Sequence, residues 1–247
     1  MQTASLVSAL VLLAATPAAG AAQSDDFTAP REGTASASGA SRVEVEARAG
    51  SLRIEGREGL GEVRVRGTAR ASDRETLEDI KLVVEREGST VVVRVEIPDG
   101  PGVRFGRWNA ALDLVVEVPS TMALDVRDSS GDAVIRGVAS LDLQDSSGDL
   151  ELENIGGTVR VEDSSGGIYV RDVRGDVRVS DSSGEIEVSR VTGTVTVDHD
   201  SSGGIDVSGV GGDFVVRRDG SGGISYRDVR GSVDIPRRDR RGRRSNQ

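Results

Sequence analysis

The chain contains no cysteine, and only 2% of its 247 residues are aromatic. Disulfide bonds, which stabilise many small exported domains, are therefore excluded. A core of large side chains is excluded as well, because the few aromatic residues stand against 32 glycines. Val, Ile and Leu must supply the buried surface, and β-branched side chains pack best on the pleated face of a sheet.

No apolar run approaches the length of about twenty residues that a membrane-spanning helix needs. The longest run covers about ten residues, at positions 6–15, and is followed by Ala19-Gly20-Ala21, a small-x-small site typical of signal peptidase cleavage. We therefore predict a signal peptide over residues 1–21 and a flexible linker over residues 22–40. The mature chain is expected to be exported to the periplasm, the cell surface or the medium, without a transmembrane segment.

Negative charge dominates the chain, whose formal net charge is −10, except at its last residues. Residues 237–247 hold six arginines and a single acid, Asp239. Such a block is typical of a solvated, disordered tail. No aromatic residue interleaves the arginines, so a nucleic acid partner is not expected. Electrostatic contact of this basic tail with an anionic surface is left open.

Six copies of one unit follow each other between residues 121 and 236. Their marker is the tetrapeptide Asp-Ser-Ser-Gly, found at residues 128–131, 145–148, 163–166, 181–184 and 200–203, with the variant Asp-Gly-Ser-Gly at 219–222. The marker glycines are 17, 18, 18, 19 and 19 residues apart. A regular period of this kind is the mark of a repeat architecture.

Each unit also has five apolar positions, spaced two, three, four and two residues apart, with one residue fewer in the first unit. In the third unit they are Ile168, Val170, Val173, Val177 and Val179, and all thirty such positions are apolar. A spacing of two places side chains on one side of a strand, so each unit contains two short strands and a corner between them. Glycine recurs at this corner, where we expect a positive φ. The corner glycines are Gly157, Gly175, Gly193, Gly212 and Gly231.

Two such short strands cannot bury their apolar faces unless identical units stack on each other. Equivalent strands then run in the same direction, about 4.8 Å apart. We therefore predict an all-β fold, a parallel, β-helix-like β-solenoid of two-strand coils of about 18 residues over residues 121–236. A left-handed hexapeptide helix is excluded, because Arg174 and Ser180 lie where it requires aliphatic residues, six and twelve positions after Ile168.

The preceding residues, 41–120, are predicted to form an irregular β-rich region that is continuous with the solenoid. A short helix is expected over residues 72–80, and strands over residues 81–85, 91–97 and 112–118. Repeat arrays need atypical end units that cover their edges, and this region is expected to be such a cap. Phe105 and Trp108 are expected to cover that edge, while Pro236, which lacks an N–H, is expected to end the ladder at the other side.

An aspartate begins every marker tetrapeptide, at Asp128, Asp145, Asp163, Asp181, Asp200 and Asp219. We expect each carboxylate to accept backbone N–H groups of its own turn. The alternative is a calcium site, as in the Gly-rich nonapeptide β-rolls. Calcium takes about six to eight oxygen ligands, and one acid in each unit matches that need poorly. We therefore assign no metal-binding or cofactor-binding residues and expect no cofactor.

The single histidine, His199, lies beside Asp200 and Ser201, which raises the question of a hydrolase. A nucleophilic serine needs a base within hydrogen-bond reach, but the equivalent serines of the other units have no histidine. We expect His199 to be the additional residue of a nineteen-residue unit, where a loop lengthens. No cluster of acids and bases like that of polysaccharide-cleaving β-helices is visible, so no catalytic residues are assigned.

A strand that ends in Val116-Glu117-Val118-Pro119 precedes the repeat Ser183-Gly184-Glu185-Ile186-Glu187-Val188 and its five relatives. Over residues 41–236 the chain resembles the bacterial putative-adhesin, β-strand-repeat domain families of unknown function. The resemblance implies a β-solenoid of the cell envelope or the extracellular space and offers no catalytic residues. This sequence departs from the families in the aspartate before each Ser-Ser-Gly and in its basic tail.

We therefore predict an exported, adhesin-like structural or binding module of the bacterial cell envelope, without catalytic activity. Its expected partner is an unidentified envelope or surface macromolecule. Two alternatives stay open: a calcium-dependent, β-roll-like module that uses the Asp-Ser-Ser-Gly corners, and an enzyme that acts on envelope polysaccharide.

Overall fold

A computed structural model describes residues 27–98 and 109–236 of the chain. The predicted signal peptide (1–21), the basic tail (237–247), and Phe105 and Trp108 lie outside the described residues. Within the described ranges, strands account for nearly all of the regular secondary structure.

Twenty-one strands and one short helix make up these ranges. In chain order they are β1 (Phe27–Ser36), β2 (Arg42–Glu46), β3 (Leu52–Arg57), β4 (Glu62–Ala71), α1 (Arg74–Asp79), β5 (Lys81–Glu87), β6 (Thr90–Glu96), β7 (Ala110–Pro119), β8 (Ala123–Arg127), β9 (Ala133–Arg136), β10 (Ser140–Gln144), β11 (Leu150–Ile155), β12 (Val159–Glu162), β13 (Ile168–Val173), β14 (Val177–Ser183), β15 (Ile186–Val191), β16 (Val195–Ser202), β17 (Ile205–Val210), β18 (Phe214–Val216), β19 (Asp219–Ser221), β20 (Ile224–Val229) and β21 (Val233–Asp234).

The strands form two sheets that share one buried core. The first sheet has the order β1-β4-β7-β3-β9-β11-β13-β15-β17-β20, and the second has the order β21-β18-β16-β14-β12-β10-β8-β2-β6-β5. From β8 to β18 the chain alternates between the two sheets, and each strand pairs in parallel with the equivalent strand of the next unit. The structure is therefore the parallel β-solenoid that the repeat predicts.

Equivalent apolar side chains lie above one another in the core. One such column consists of Leu150, Ile168, Ile186, Ile205 and Ile224. In the first five units all 25 predicted inward positions are buried. In the sixth unit they are partly buried or exposed, and Tyr226 is 48% exposed, because no described coil covers them. Stacking therefore buries each coil through its neighbours, as expected for a repeat protein.

The alternation of inward and outward side chains leads to a test in β16. Val197 is fully buried, and its replacement by alanine is expected to lower the free energy of unfolding by about 2 kcal/mol, because a cavity remains. Thr196, its neighbour, is only partly buried, and Thr196→Ala is expected to change that free energy by less than about 0.5 kcal/mol. Urea denaturation measures both variants, and equal losses would contradict the described alternation.

The corner within each unit differs from the sequence prediction. The glycines expected to have a positive φ do not have one, so that prediction was wrong. The residue with a positive φ, between 55° and 66°, lies three positions earlier, at Asn154, Asp172, Arg190, Gly209 and Asp228. The predicted glycines are required by close approach instead, because a β-carbon on Gly175 would lie 2.6 Å from the carbonyl carbon of Gly157.

The marker glycines form a second, tighter stack at the other corner. Their φ angles range from 113° to 151°, a region that side chains rarely adopt. A β-carbon on Gly203 would lie 1.6 Å from the carbonyl oxygen of Gly184, and the same contact recurs between successive marker glycines. At this corner the backbone of each coil thus packs directly against the backbone of the preceding coil, and only glycine fits.

The amino-terminal region continues the coils and then changes direction. Strands β2 and β3 pair in parallel with β8 and β9, so they form a further coil. Beyond β6 and β7 the pairing becomes antiparallel, with β5 on β6 and β4 on β7. The predicted short helix is α1, whose N-cap is Asp73. The region is therefore β-rich and continuous with the solenoid, as predicted.

The predicted flexible linker over residues 22–40 was wrong for its described part. Residues 27–36 form β1, which pairs with β4 over ten residue pairs. The side chain of Arg31 also fixes this strand, because its guanidinium donates to the carbonyl oxygens of Leu77 and Ile80. The sequence does not indicate this strand, because backbone pairing rather than an alternating apolar pattern holds it in place.

Candidate functional site

The Asp-Ser-Ser-Gly corners lie on one another along one edge of the solenoid, and they bring their aspartates into a column. Asp181 pairs with Asp200, and Asp200 with Asp219, in the parallel ladder of β14, β16 and β19. Five of the six aspartates are buried, with exposed fractions between 0% and 6%: Asp128, Asp145, Asp163, Asp181 and Asp200. We call these five residues the aspartate column.

The expected turn hydrogen bonds are present in part of the aspartate column. One carboxylate oxygen of Asp128 accepts from the N–H of Ser129 at 2.7 Å, and Asp163 accepts from Ser164 at the same distance. In Asp181 the donor is the N–H of Ser183, at 3.2 Å. The second oxygen of each of these three carboxylates has no hydrogen-bond partner among the described residues. The turn interaction therefore satisfies only half of each carboxylate.

Burial strongly favours the protonated form of these groups. Desolvation raises the pKa of Asp128 to about 7, although the Ser129 N–H opposes the shift. It also raises the pKa of Asp163 to about 6, with further upward contributions from the neighbouring carboxylates. The pKa of Asp200 rises to about 6 by desolvation and the charges of Asp181 and Asp219. These shifts place the titration of Asp128, Asp163 and Asp200 in the mildly acid to neutral range.

Calcium finds little support at this corner. Calcium is bound by about six to eight oxygen atoms, with ionised carboxylates among them. The carboxylates of the aspartate column are buried, and burial favours their protonated form. Within residues 27–98 and 109–236, no group of three or more acids or histidines is placed to hold a metal ion. We expect the melting temperature to be the same in calcium and in a chelator, as measured by calorimetry. A rise of several degrees in calcium would restore the β-roll alternative.

The hydrolase question turns on the contacts of His199. Its Nε2 lies 2.9 Å from the hydroxyl oxygen of Ser201, but its buried Nδ1 has no hydrogen-bond partner among the described residues. The acid that would orient the ring is therefore missing, since neither oxygen of Asp200 makes a hydrogen bond of good geometry.

His199 is also not the additional residue of its unit, as the sequence led us to expect. The ladder pairs Ser180 with His199 and skips Asp198, which is the bulged residue. Ion pairs with Arg178 and Arg217 hold the Asp198 side chain outside the strand. His199 keeps its place in the regular pattern of β16.

The outer faces of the two sheets carry mixed side chains in register. The central outward column of the second sheet is Asp142, Arg160, Arg178, Thr196, Val215 and Asp234. That of the first sheet is Val134, Glu151, Tyr169, Glu187, Asp206 and Ser225. Neither column is uniformly apolar or aromatic, so neither sheet presents a continuous apolar patch on its outer face.

A cleft of about 680 Å³ runs along the corner that carries the positive-φ residues. We call it the corner cleft. Val173, Val191 and Val210 form its buried floor, at the ends of β13, β15 and β17. One rim is the positive-φ column, and the other carries Arg174 and Arg230. Its volume lies in the range of about 300 to 1,000 Å³ that is usual for ligand sites.

The polar side chains of the corner cleft differ in how well they are paired. Arg190 donates from Nε and Nη2 to the carboxylate of Asp172, at 2.6 and 2.7 Å, and this bond lowers the pKa of Asp172. The side chains of Asn154, Arg174, Asp228 and Arg230 make no hydrogen bond or ion pair within the part of the chain that the structure describes.

The corner cleft was not predicted from the sequence. The sequence feature that could have indicated it is the residue directly before the third apolar position, which is Asn, Asp or Gly in four of the five later units. These types tolerate a positive φ better than others. Arg190 breaks the pattern, and it forms an ion pair with Asp172 of the preceding coil.

Similar proteins are found among solved structures. No model of a known protein family and no curated protein matches the chain. Among solved structures it is similar to a putative adhesin from Bacteroides fragilis NCTC 9343, at 13% identity and a TM-score of 0.44, over 87% of this chain and 99% of that one. A putative cell adhesion protein from Clostridium sporogenes ATCC 15579 matches at 12% identity and a TM-score of 0.38, over 85% and 99%.

A third solved structure, a putative lipid binding protein from Parabacteroides distasonis ATCC 8503, matches at 13% identity and a TM-score of 0.32, over 84% of this chain and 97% of that one. The functions in all these names belong to those proteins. Within residues 27–98 and 109–236, no helix has the length and apolar character needed to cross a membrane.

Proposed function

We propose that the chain is an exported protein of the bacterial cell envelope that binds an envelope or surface macromolecule and performs no catalysis. The observation that carries the proposal is the corner cleft, where polar side chains without partners line a concave surface on stacked coils. A site on such a rigid scaffold loses little conformational entropy when a ligand binds. Export is proposed from the predicted signal peptide over residues 1–21.

Binding to the envelope is the direct test of this proposal. The purified mature protein should be retained in a saturable manner by at least one fraction of the bacterial envelope, such as outer membrane, peptidoglycan or surface polysaccharide. A second protein that lacks residues 237–247 separates the contribution of the basic tail from that of the solenoid. Absence of retention on every fraction, by both proteins, would overturn the proposal.

The contact between His199 and Ser201 favours one second candidate, an enzyme that acts on envelope polysaccharide. Its test is the release of reducing ends from envelope polysaccharide, by the wild type and by Ser201→Ala. We expect no release by either protein, because His199 lacks an orienting acid. Turnover by the wild type that Ser201→Ala abolishes would establish the enzyme instead.

A further inference from the structure

One of the residues that line the corner cleft is a glycine in the positive-φ column, Gly209. Successive coils place Asn154, Asp172, Arg190, Gly209 and Asp228 in one column. Of these five residues only Gly209 has no side chain, as is the case for Gly137 at the equivalent position of the first unit, so a gap lies between Arg190 and Asp228. These two residues are two coils apart, which corresponds to about 10 Å along the stack.

Steric conflict does not explain this glycine. A β-carbon on Gly209 would find no atom closer than 3.5 Å, which is ordinary van der Waals contact. Its φ of 66° is close to the 56° of Asn154, so the backbone also accepts asparagine there. By contrast, Gly211 is required by close approach, because a β-carbon would lie 2.3 Å from the carbonyl oxygen of Thr192. At residue 209 the positive φ favours glycine, but the other four residues of the column carry side chains at a similar φ, so the position also accepts asparagine.

The groups around this space exclude several kinds of ligand. Charged and amide side chains on both rims disfavour an apolar ligand. An added peptide strand would need free backbone donors, but the N–H groups of Thr192, Gly211 and Arg230 already bond to the coil below. A long polyanion such as nucleic acid would bring more negative charge than Arg174 and Arg230 can neutralise, next to the carboxylate of Asp228 and on a chain of net charge −10.

The unpaired groups have a definite chemistry. Arg174 and Arg230 lie three coils apart, about 14 Å, on the same rim. Each presents a guanidinium, which binds a carboxylate in a bidentate manner. Asn154 and Asp228 on the opposite rim offer amide and carboxylate groups that bond to hydroxyls. A ligand that satisfies both rims carries carboxylates at intervals and hydroxyls between them.

We propose that the corner cleft binds a short acidic saccharide along the coil stack, with its carboxylates on Arg174 and Arg230 and its hydroxyls towards Asn154 and Asp228. The inference rests on the proposed binding function and names the ligand class. The Asp172–Arg190 pair closes one side of the site with its charges already neutralised.

The probe for this proposal is trigalacturonate, and maltotriose is its uncharged counterpart with the same type of linkage. Gly209→Asn fills the gap with a side chain that the backbone accepts. Gly59→Asn is the matched control, because Gly59 has a φ of 71°, open space around its β-carbon position, and no place in the cleft. Arg230→Ala removes one of the two proposed carboxylate contacts without touching the corner backbone.

Calorimetric titration should show that the wild type and Gly59→Asn bind trigalacturonate with equal affinity. Gly209→Asn and Arg230→Ala should each bind at least tenfold more weakly, and maltotriose should bind the wild type at least tenfold more weakly. Gly209→Asn and Gly59→Asn place asparagine at a similar positive φ, so their melting temperatures should fall by similar small amounts, and Arg230→Ala should remain folded as well. Equal affinity of Gly209→Asn and the wild type, or of the two saccharides, would overturn the proposal, and so would the absence of any heat with trigalacturonate.

Envelope retention separates this proposal from the broader one. If trigalacturonate gives no heat but the wild type is retained on an envelope fraction, the saccharide inference fails and the binding function stands. If neither is observed, both fail. Retention that trigalacturonate competes away, and that Gly209→Asn lacks, would support both.

Discussion

Gly203→Ala is expected to lower the free energy of unfolding by about 3 to 5 kcal/mol. The new methyl group would lie 1.6 Å from the carbonyl oxygen of Gly184, and φ at this residue is 150°. The clashing oxygen is a backbone atom and φ is a backbone angle, so a change of side-chain rotamer cannot relieve either the clash or the strain. The two coils must move apart, which weakens their parallel pairing.

The adjacent residue provides the control. Gly204 has no atom within 4 Å of its β-carbon position and no positive φ. Gly204→Ala is therefore expected to leave stability unchanged or to raise it by up to about 1 kcal/mol, because alanine restricts the unfolded chain. Urea denaturation of both variants makes the comparison. Similar midpoints for the two would refute the close stacking of the marker corners.

Raising the pH from 4 to 8 is expected to lower the free energy of unfolding by at least about 3 kcal/mol. Burial raises the pKa of Asp128 to about 7 and those of Asp163 and Asp200 to about 6, above the value of 3.8 that these groups have in the unfolded chain. Between these values the folded protein holds more protons than the unfolded one. The resulting stabilisation is complete below about pH 4 and disappears as the pH rises through about 6 to 7.

Other acids do not reverse this trend within the same range. Bonds to Arg190 and Arg178 lower the pKa values of Asp172 and Asp198, so their contributions are lost only below about pH 4. His199 lies beside Asp181 and Asp200 and lowers the pKa of both by its charge. The upward shifts remain, because desolvation is the largest contribution in each case.

Asp163→Asn isolates the contribution of one buried group. The amide oxygen can still accept from the Ser164 N–H, and the neutral side chain removes the repulsion with Asp145 and Asp181. We expect this variant to be more stable than the wild type by about 1 to 2 kcal/mol at pH 8, and equal to it near pH 4. Asp142→Asn makes the same charge change on the exposed face and should have little effect. A wild-type stability that rises between pH 4 and 8 would contradict the burial of the column.

The repeat made most of the fold predictable from the sequence. The spacing of the Asp-Ser-Ser-Gly markers and the two-residue apolar alternation, as in Ile168 and Val170, directly reflect parallel stacking. Strand β1 was not predictable in this way, because its side chains are mostly exposed and its partner β4 is antiparallel. The interaction that holds it comes from residues far along the chain, such as the contacts of Arg31 with Leu77 and Ile80.

The candidate site was less accessible to sequence analysis. The sequence identified the repeated aspartates but not their burial. Their burial depends on the distance between successive corners, which no local sequence pattern predicts. Part of the corner cleft is the space beside Gly209, which has no side chain. Nothing in the sequence distinguishes this glycine from the many others. The space becomes visible only when the register places Gly209 between Arg190 and Asp228.

Distances between spin labels test the stacking of coils most directly, and the lack of cysteine makes such labels specific. Cysteines would replace the exposed serines Ser129, Ser182 and Ser201, labelled in pairs. The stack predicts about 14 Å from Ser129 to Ser182 and about 19 Å from Ser129 to Ser201, a difference of one coil spacing of about 4.8 Å. Distances that do not increase with the number of intervening coils would contradict the parallel solenoid.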